Sequence, residues 1–196
     1  MHSRLTLALV LLALAAHARA QAPWQNPYYG TAPYFEELEV GDADGDGQAD
    51  VFVQSQLAHS LKVLLGHGDG TFVGAYQQIT SGILTFVVAD FDANGLDDVA
   101  AIDASLGIVF VRLALGGGSF GGPIPVPTSG PASSLAAADL DGDGRLDLAV
   151  GLTLGLRVSI AVGAGDGSFV AGPDVAVPAL HDGVRAGDVN GDGIAD

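Results

Sequence analysis

The sequence predicts an all-β fold assembled from repeated four-stranded units, and three observations carry that prediction. An acidic loop returns at a nearly constant interval, a Gly-rich turn ending in Phe follows each complete loop at a fixed distance, and short apolar runs rich in β-branched residues fill the intervals. The loops begin at Asp42, Asp90, Asp139 and Asp188, which lie 48, 49 and 49 positions apart. The turns Gly68-Asp69-Gly70-Thr71-Phe72, Gly116-Gly117-Gly118-Ser119-Phe120 and Gly165-Asp166-Gly167-Ser168-Phe169 each end 30 residues after the first Asp of their loop. Independent loops would not hold such a phase.

Taken in order, the chain opens with an expected export signal over residues 1–20. Arg4 supplies the positive start, Leu5 to Ala16 the apolar run, and Ala18-Arg19-Ala20 an A-x-A cleavage site. The apolar run of 12 residues is shorter than the roughly 20 a spanning helix needs, and no later stretch is long enough. Residues 21–34, with Pro23, Trp24, Pro27, Tyr28 and Tyr29, read as a linker or as a strand that closes a ring, and the pattern leaves both open.

From residue 35 the repeats follow, expected over about 35–82, 83–131 and 132–180, with 181–196 as the start of a fourth. In the second unit the apolar runs are Ile83 to Ala89, Val99 to Ile102, Gly107 to Leu115 and Phe120 to Val126. In the third they are Ser134 to Ala138, Leu148 to Leu152, Arg157 to Val162 and Phe169 to Val177. Four strands per unit is the count of a β-propeller blade. Pro123, Pro125, Pro127 and Pro173 fall in or just beyond the fourth strand, so that strand should be the outer edge, where a missing N–H costs no ladder bond. The strand entering each acidic loop should be the innermost, since small residues such as Leu135-Ala136-Ala137-Ala138 suit a crowded axis. Three blades and part of a fourth do not close a ring of typically about four to eight. A piece of a longer protein is the expectation, and a ring completed by a second chain the alternative.

The acidic loops carry the pattern of a metal site. Positions 1, 3, 5 and 9 bear oxygen side chains: Asp42, Asp44, Asp46 and Asp50; Asp90, Asp92, Asn94 and Asp98; Asp139, Asp141, Asp143 and Asp147; Asp188, Asn190, Asp192 and Asp196. Position 7 offers its backbone carbonyl, from Gln48, Leu96, Arg145 and Ile194, and Gly47, Gly95, Gly144 and Gly193 at position 6 permit the turn that aims the oxygens inward. Hard oxygen donors in a flexible loop select calcium over magnesium or zinc, so up to four structural Ca2+ ions are expected. An EF-hand would require Glu at position 12, which holds Val53, Ala101 and Val150 in the complete copies. Asp, Asn and Gly are also ordinary turn formers, but a turn needs only two or three of them, and each of the four copies keeps positions 1, 3, 5, 6 and 9.

The residues Val88-Ala89-Asp90-Phe91-Asp92, Ala138-Asp139-Leu140-Asp141-Gly142-Asp143-Gly144 and Leu146-Asp147-Leu148-Ala149-Val150, with the Gly-Asp-Gly-Ser/Thr-Phe turns, resemble the FG-GAP/VCBS repeat family over about Phe35 to Asp196. That resemblance implies calcium-binding β-propeller blades like those of integrin α heads, with each acidic loop joining two strands of a blade. Two departures stand out. Gly117 replaces the Asp69 and Asp166 of the other turns, and the fourth copy stops at its last ligand.

Composition narrows the function further. The chain has 7 basic and 23 acidic residues, and loss of Arg4 and Arg19 with the signal leaves a formal charge of −18. Nucleic acid is therefore excluded as a partner. Fourteen of the acids are expected ligands, and four divalent ions would bring the charge to −10, so much of the imbalance is a site requirement. There is no cysteine, which excludes disulfides, thiolate zinc and a cysteine nucleophile, and leaves metal ions as the staple of an exported fold.

Catalysis finds no support in the pattern. His2 and His17 leave with the signal, His59, His67 and His181 have no serine in a G-x-S-x-G setting, and Glu36, Glu37 and Glu39 alternate as the polar positions of a strand. The expectation is a non-enzymatic, secreted, calcium-binding scaffold for an extracellular protein or glycan. The alternatives are a propeller domain of a larger secreted enzyme, or a sugar-binding propeller using Trp24, Tyr28, Tyr29, Tyr34 and Tyr76 as stacking faces.

Overall fold

A computed structural model describes residues 35–55, 60–73, 77–153, 156–177 and 183–196. The signal region, residues 21–34, His59, Tyr76 and His181 lie outside these. The described part is built of β-strands alone, and none of it forms a helix long and apolar enough to cross a membrane.

Three antiparallel sheets follow one another along the chain. The first is β1 (Phe35–Gly41), β2 (Asp50–Ser55), β3 (Ser60–Leu64) and β4 (Gln77–Ser81), paired in that order. The second is β5 (Ile83–Ala89), β6 (Asp98–Asp103), β7 (Val109–Arg112) and β8 (Ile124–Val126), again in order. The third is β9 (Ala132–Ala138), β10 (Asp147–Leu152) and β11 (Arg157–Gly163), whose fourth strand is broken into β12 (Phe169–Ala171) and β13 (Val175–Ala176), both pairing with β11. The break falls at Gly172-Pro173-Asp174, where proline has no N–H to give. Each sheet is thus a four-stranded blade, as the spacing predicts.

Both edges are where the sequence places them. The first strands are neighbours from blade to blade, β1 against β5 and β5 against β9, so they form the inner wall. Pro125 lies within β8, opposite Phe110 on the outermost pairing of its sheet. The runs expected over Gly107 to Leu115 and Phe120 to Val126 are shorter as ladders, because after Arg112 pairing is reduced to the single Ala114–Phe120 bridge around the Gly-rich turn.

Blades are two-sided, and the central strands β2, β6 and β10 are buried along nearly their whole length. Val99 and Ala101 of β6 face the first blade and join Phe52, Leu61, Val63 and Ile79 in one core. Ala100 and Ile102 face the third blade and join Leu135, Leu148, Val150 and Leu152 in another. The turn phenylalanines lock successive blades together. Phe120 meets Phe52 edge-on at 6.2 Å, and Phe169 meets Phe91 at 5.7 Å. Such pairs contribute about 0.5–1.5 kcal/mol beyond the area they bury.

Candidate metal centre

Each of the first three acidic loops joins the first and second strands of a blade, so β-pairing fixes its two ends. Asp50 pairs with Gly41, Asp98 with Ala89 and Asp147 with Ala138, which places position 9 of every loop directly across the ladder from the residue before position 1. Within that closure the loop winds by side chain to backbone bonds. The carboxylate at position 1 accepts the position 6 N–H in all four copies: Asp42 from Gly47 at 2.8 Å, Asp90 from Gly95 at 2.8 Å, Asp139 from Gly144 at 2.9 Å and Asp188 from Gly193 at 2.9 Å. Positions 3 and 5 each cap the N–H two residues ahead, as Asp44 does for Asp46 and Asp46 for Gln48. The position 6 glycines have φ between 77° and 89°, a conformation that a side chain would strain.

Position 9 has a second task that the spacing did not disclose. Asp50, Asp98 and Asp147 are fully buried, and their two oxygens accept from opposite directions. One receives the position 2 N–H: Ala43 to Asp50 at 2.8 Å, Phe91 to Asp98 at 2.9 Å and Leu140 to Asp147 at 2.9 Å. The other receives an N–H from just after or at the end of the third strand: Gly66 at 2.8 Å, Ala114 at 2.7 Å and Gly163 at 2.9 Å. The carboxylate therefore ties the loop to a strand 16 residues on. Residues 66, 114 and 163 stand at one repeat phase and are all small, a signal present in the sequence but silent without the strand register.

The folded loops bring positions 1, 3 and 9 together. Asp42, Asp44 and Asp50, then Asp90, Asp92 and Asp98, then Asp139, Asp141 and Asp147, each place ligand oxygens within 4.8 Å of one another. Asp46 and Asp143 do not join these groups, and the fourth loop, with Asn190 at position 3, has only two carboxylates, Asp188 and Asp196, at the corresponding positions. The Asp196 carboxylate receives the Val189 N–H at 3.1 Å and a long 3.5 Å contact from the Asn190 amide, and its backbone pairs with Gly187.

Electrostatics marks the first two of these loops. Burial pushes the Asp98 carboxyl up to about 6, with Asp92 and Asp90 adding to the rise and the Ala114 and Phe91 N–H groups opposing it. Asp50 is raised by burial in the same way. In the open fourth loop Asp188 is instead lowered by its backbone bonds to Gly193 and Gly191. Carboxylates crowded this closely repel, with each pair costing roughly 1 kcal/mol even at water's dielectric constant. An all-oxygen donor set that is costly when empty fits a hard cation, so each of the three clusters could hold a metal ion.

Two further residues join neighbouring blades, one at the loops and one toward the opposite end of the first strands. Asp97 gives its N–H to the Asp42 carbonyl at 2.8 Å and accepts the Asp42 N–H at 2.7 Å, so the second loop grips the first. Glu37 accepts from the Thr85 hydroxyl at 2.7 Å and from the Phe86 N–H at 3.2 Å, which links β1 to β5. His67 is exposed in its turn.

The sequence profile of the FG-GAP-like repeat family matches residues 42–101 and again 90–150, together more than half of the chain. The chain belongs to the FG-GAP-like repeat family. Both matches begin at the first Asp of a loop and end within the second strand of the following blade, so the family unit is the loop with its framing strands. No curated protein matches the chain. Among solved structures, FG-GAP blades of this chain superpose on an Agrocybe aegerita lectin described by its specific recognition of non-reducing terminal N-acetylglucosamine, at 20% identity and a TM-score of 0.54. A Photorhabdus luminescens Tc holotoxin pore matches at 22% identity and 0.58, and a Bacillus licheniformis rhamnogalacturonan lyase PL11 at 18% and 0.51. The matches cover 72%, 86% and 88% of this chain but only 38%, 8% and 42% of those chains. At these identities the likeness is one of fold.

Proposed function

We propose that this chain is a secreted, calcium-stiffened FG-GAP scaffold that presents a binding surface to an extracellular protein or glycan and carries no catalytic machinery of its own. The observation that carries the reading is the convergence of three carboxylate clusters, each within 4.8 Å, at the same junction of three successive blades. Calcium suits them because the donors are hard oxygens on a loop able to supply a backbone carbonyl as well. Ligands that meet only in the folded state convert ion binding into fold stability, which a cysteine-free exported chain needs. The signal pattern of residues 1–20 supports export.

Isothermal titration of the metal-stripped protein tests the reading. It should show three equivalents of Ca2+, with dissociation constants of roughly 0.1–1 mM as in other extracellular modules and a weaker contribution from the open fourth loop. Chelation with EDTA should lower the melting temperature. An unchanged melt after verified metal removal, or no heat of calcium uptake, would remove calcium from the account.

A further inference from the structure

The outer rim between the first and second blades holds a cavity of about 580 Å3. Thr80 and Ser81 of β4 line one side, and Phe110, Arg112, Pro123 and Pro125 the other. Its size lies within the roughly 300–1,000 Å3 of small-molecule sites. The alternation of β7 explains its walls. Val109 and Val111 point into the core shared with the third blade, so Phe110 and Arg112 face the first.

The corresponding interface one repeat later is closed. Ser159 and Ala161 stand 49 residues after Phe110 and Arg112; both are buried, and the Ser159 hydroxyl accepts the Ser129 N–H at 3.2 Å. The fold therefore does not require a large cationic side chain at this place.

Arg112 is also incompletely partnered. Its Nη1 donates to the Gly121 carbonyl at 2.6 Å, while its Nε is cut off from solvent and has no hydrogen-bond partner. The ion pairs among the described residues are Arg145 with Asp143 and Arg157 with Asp174, and neither involves Arg112. Arg112 is half-buried and faces the cavity without a counter-ion, and a carboxylate is the planar anion its fork fits. Asp103 lines the same cavity but does not supply that charge. Arg112 pairs across the ladder with Val99, and Asp103 lies four residues farther along β6, about 13 Å away at about 3.3 Å per residue. Its Oδ1 is occupied by the Ser105 N–H and hydroxyl and by the Leu106 N–H.

We propose that this cavity binds a small organic carboxylate, with the anion on the Arg112 guanidinium and an apolar body against Phe110, Pro123 and Pro125. Inorganic phosphate or sulfate would leave those apolar walls uncovered. Asp103 keeps the anionic end of the ligand at Arg112, since a carboxylate placed the other way round would meet a like charge. The site is independent of calcium chemistry, and its failure would leave the metal reading intact.

The test uses the full calcium-loaded chain and 3-phenylpropionate as probe, with uncharged 3-phenylpropionamide as comparison, followed by calorimetry and ligand-observed NMR. The acid should bind saturably at one equivalent and the amide at least about tenfold more weakly, as expected for a hydrogen bond to a charged group. Arg112→Gln should lower acid affinity by about the same factor, Arg112→Lys by less, and Asp103→Asn should keep or tighten it. Equal binding of acid and amide, wild-type affinity in Arg112→Gln, or no saturation up to the solubility limit would overturn the proposal. If Arg112→Gln fails to fold, the acid and amide comparison on the natural chain still decides.

Discussion

The second acidic loop and its two neighbours make the same bonds to the carboxylates at positions 1 and 9, from positions 6 and 2 and from the end of the third strand, with some different residues. The first and third loops carry Gly45 and Gly142 at position 4, Asp46 and Asp143 at position 5, and Gly66 and Gly163 as the distant donor. The second has Ala93, Asn94 and Ala114 instead. Ala93 is held at φ 57°, the one non-glycine residue with positive φ among the described residues. A Cβ on Gly66 would lie 2.2 Å from the Ala49 carbonyl oxygen, and one on Gly163 2.1 Å from that of Leu146, yet the backbone around Ala114 accommodates one. What all three loops keep is the carboxylates at positions 1 and 3, glycine at position 6 and the buried carboxylate at position 9. Those four are common to the loops, while positions 4 and 5 and the distant donor vary.

The largest effect should come from position 9. Asp98→Ala or Asp147→Ala leaves two buried N–H groups without an acceptor and should cost about 3 kcal/mol in urea denaturation of the metal-free protein, besides one ion. A loss confined to calcium uptake would show that the carboxylate is a ligand only. Next, Gly66→Ala should destabilise by about 2 kcal/mol through overpacking, while Ala114→Gly should cost under about 1 kcal/mol. Equal costs at the two sites would erase the distinction between the loops.

Proton linkage should single out the second loop. With its folded pKa raised to about 6, Asp98 contributes stability in its protonated form below about pH 4 and loses it as pH climbs through 6. The metal-free protein should therefore weaken from pH 4 to 6. Calcium affinity at that loop, which needs the carboxylate, should fall about tenfold per unit below pH 6. The gap in melting temperature between calcium-loaded and EDTA-treated protein should widen from pH 5 to 7, and a constant gap would contradict the link.

Two smaller effects complete the contrast. Ala93→Gly should stabilise the chain by about 0.5–1 kcal/mol by relieving the left-handed backbone. Asp141→Ala, at an exposed position 3, should shift the metal-free melt by less than about 0.5 kcal/mol yet remove one calcium equivalent. An unaltered stoichiometry would exclude Asp141 as a ligand.

Strand number, strand order and the edge positions were legible because they rest on local patterns. β-branched runs, prolines and the two phased turns each declare themselves within a few residues, and β5 spans the same Ile83 to Ala89 that the sequence indicates. The carboxylates that the fold gathers, at positions 1, 3 and 9 of the first three loops, were legible for the same reason. The double hydrogen bond of Asp98, the grip of Asp97 on Asp42 and the reach of Glu37 to Thr85 were not, since each depends on residues brought close by pairing or by a neighbouring blade. Nothing in the sequence pattern sets Arg112 apart. Only the orientation of β7 against the first blade turns it into the floor of a cavity.

The edge-on phenylalanines give the array a direction. Phe120 and Phe169 each belong to one blade and seat on the blade before it, so the first and second units each receive an aromatic ring from their successor. A polypeptide synthesised amino end first can consolidate each module as the next one appears, without waiting for its tail to arrive.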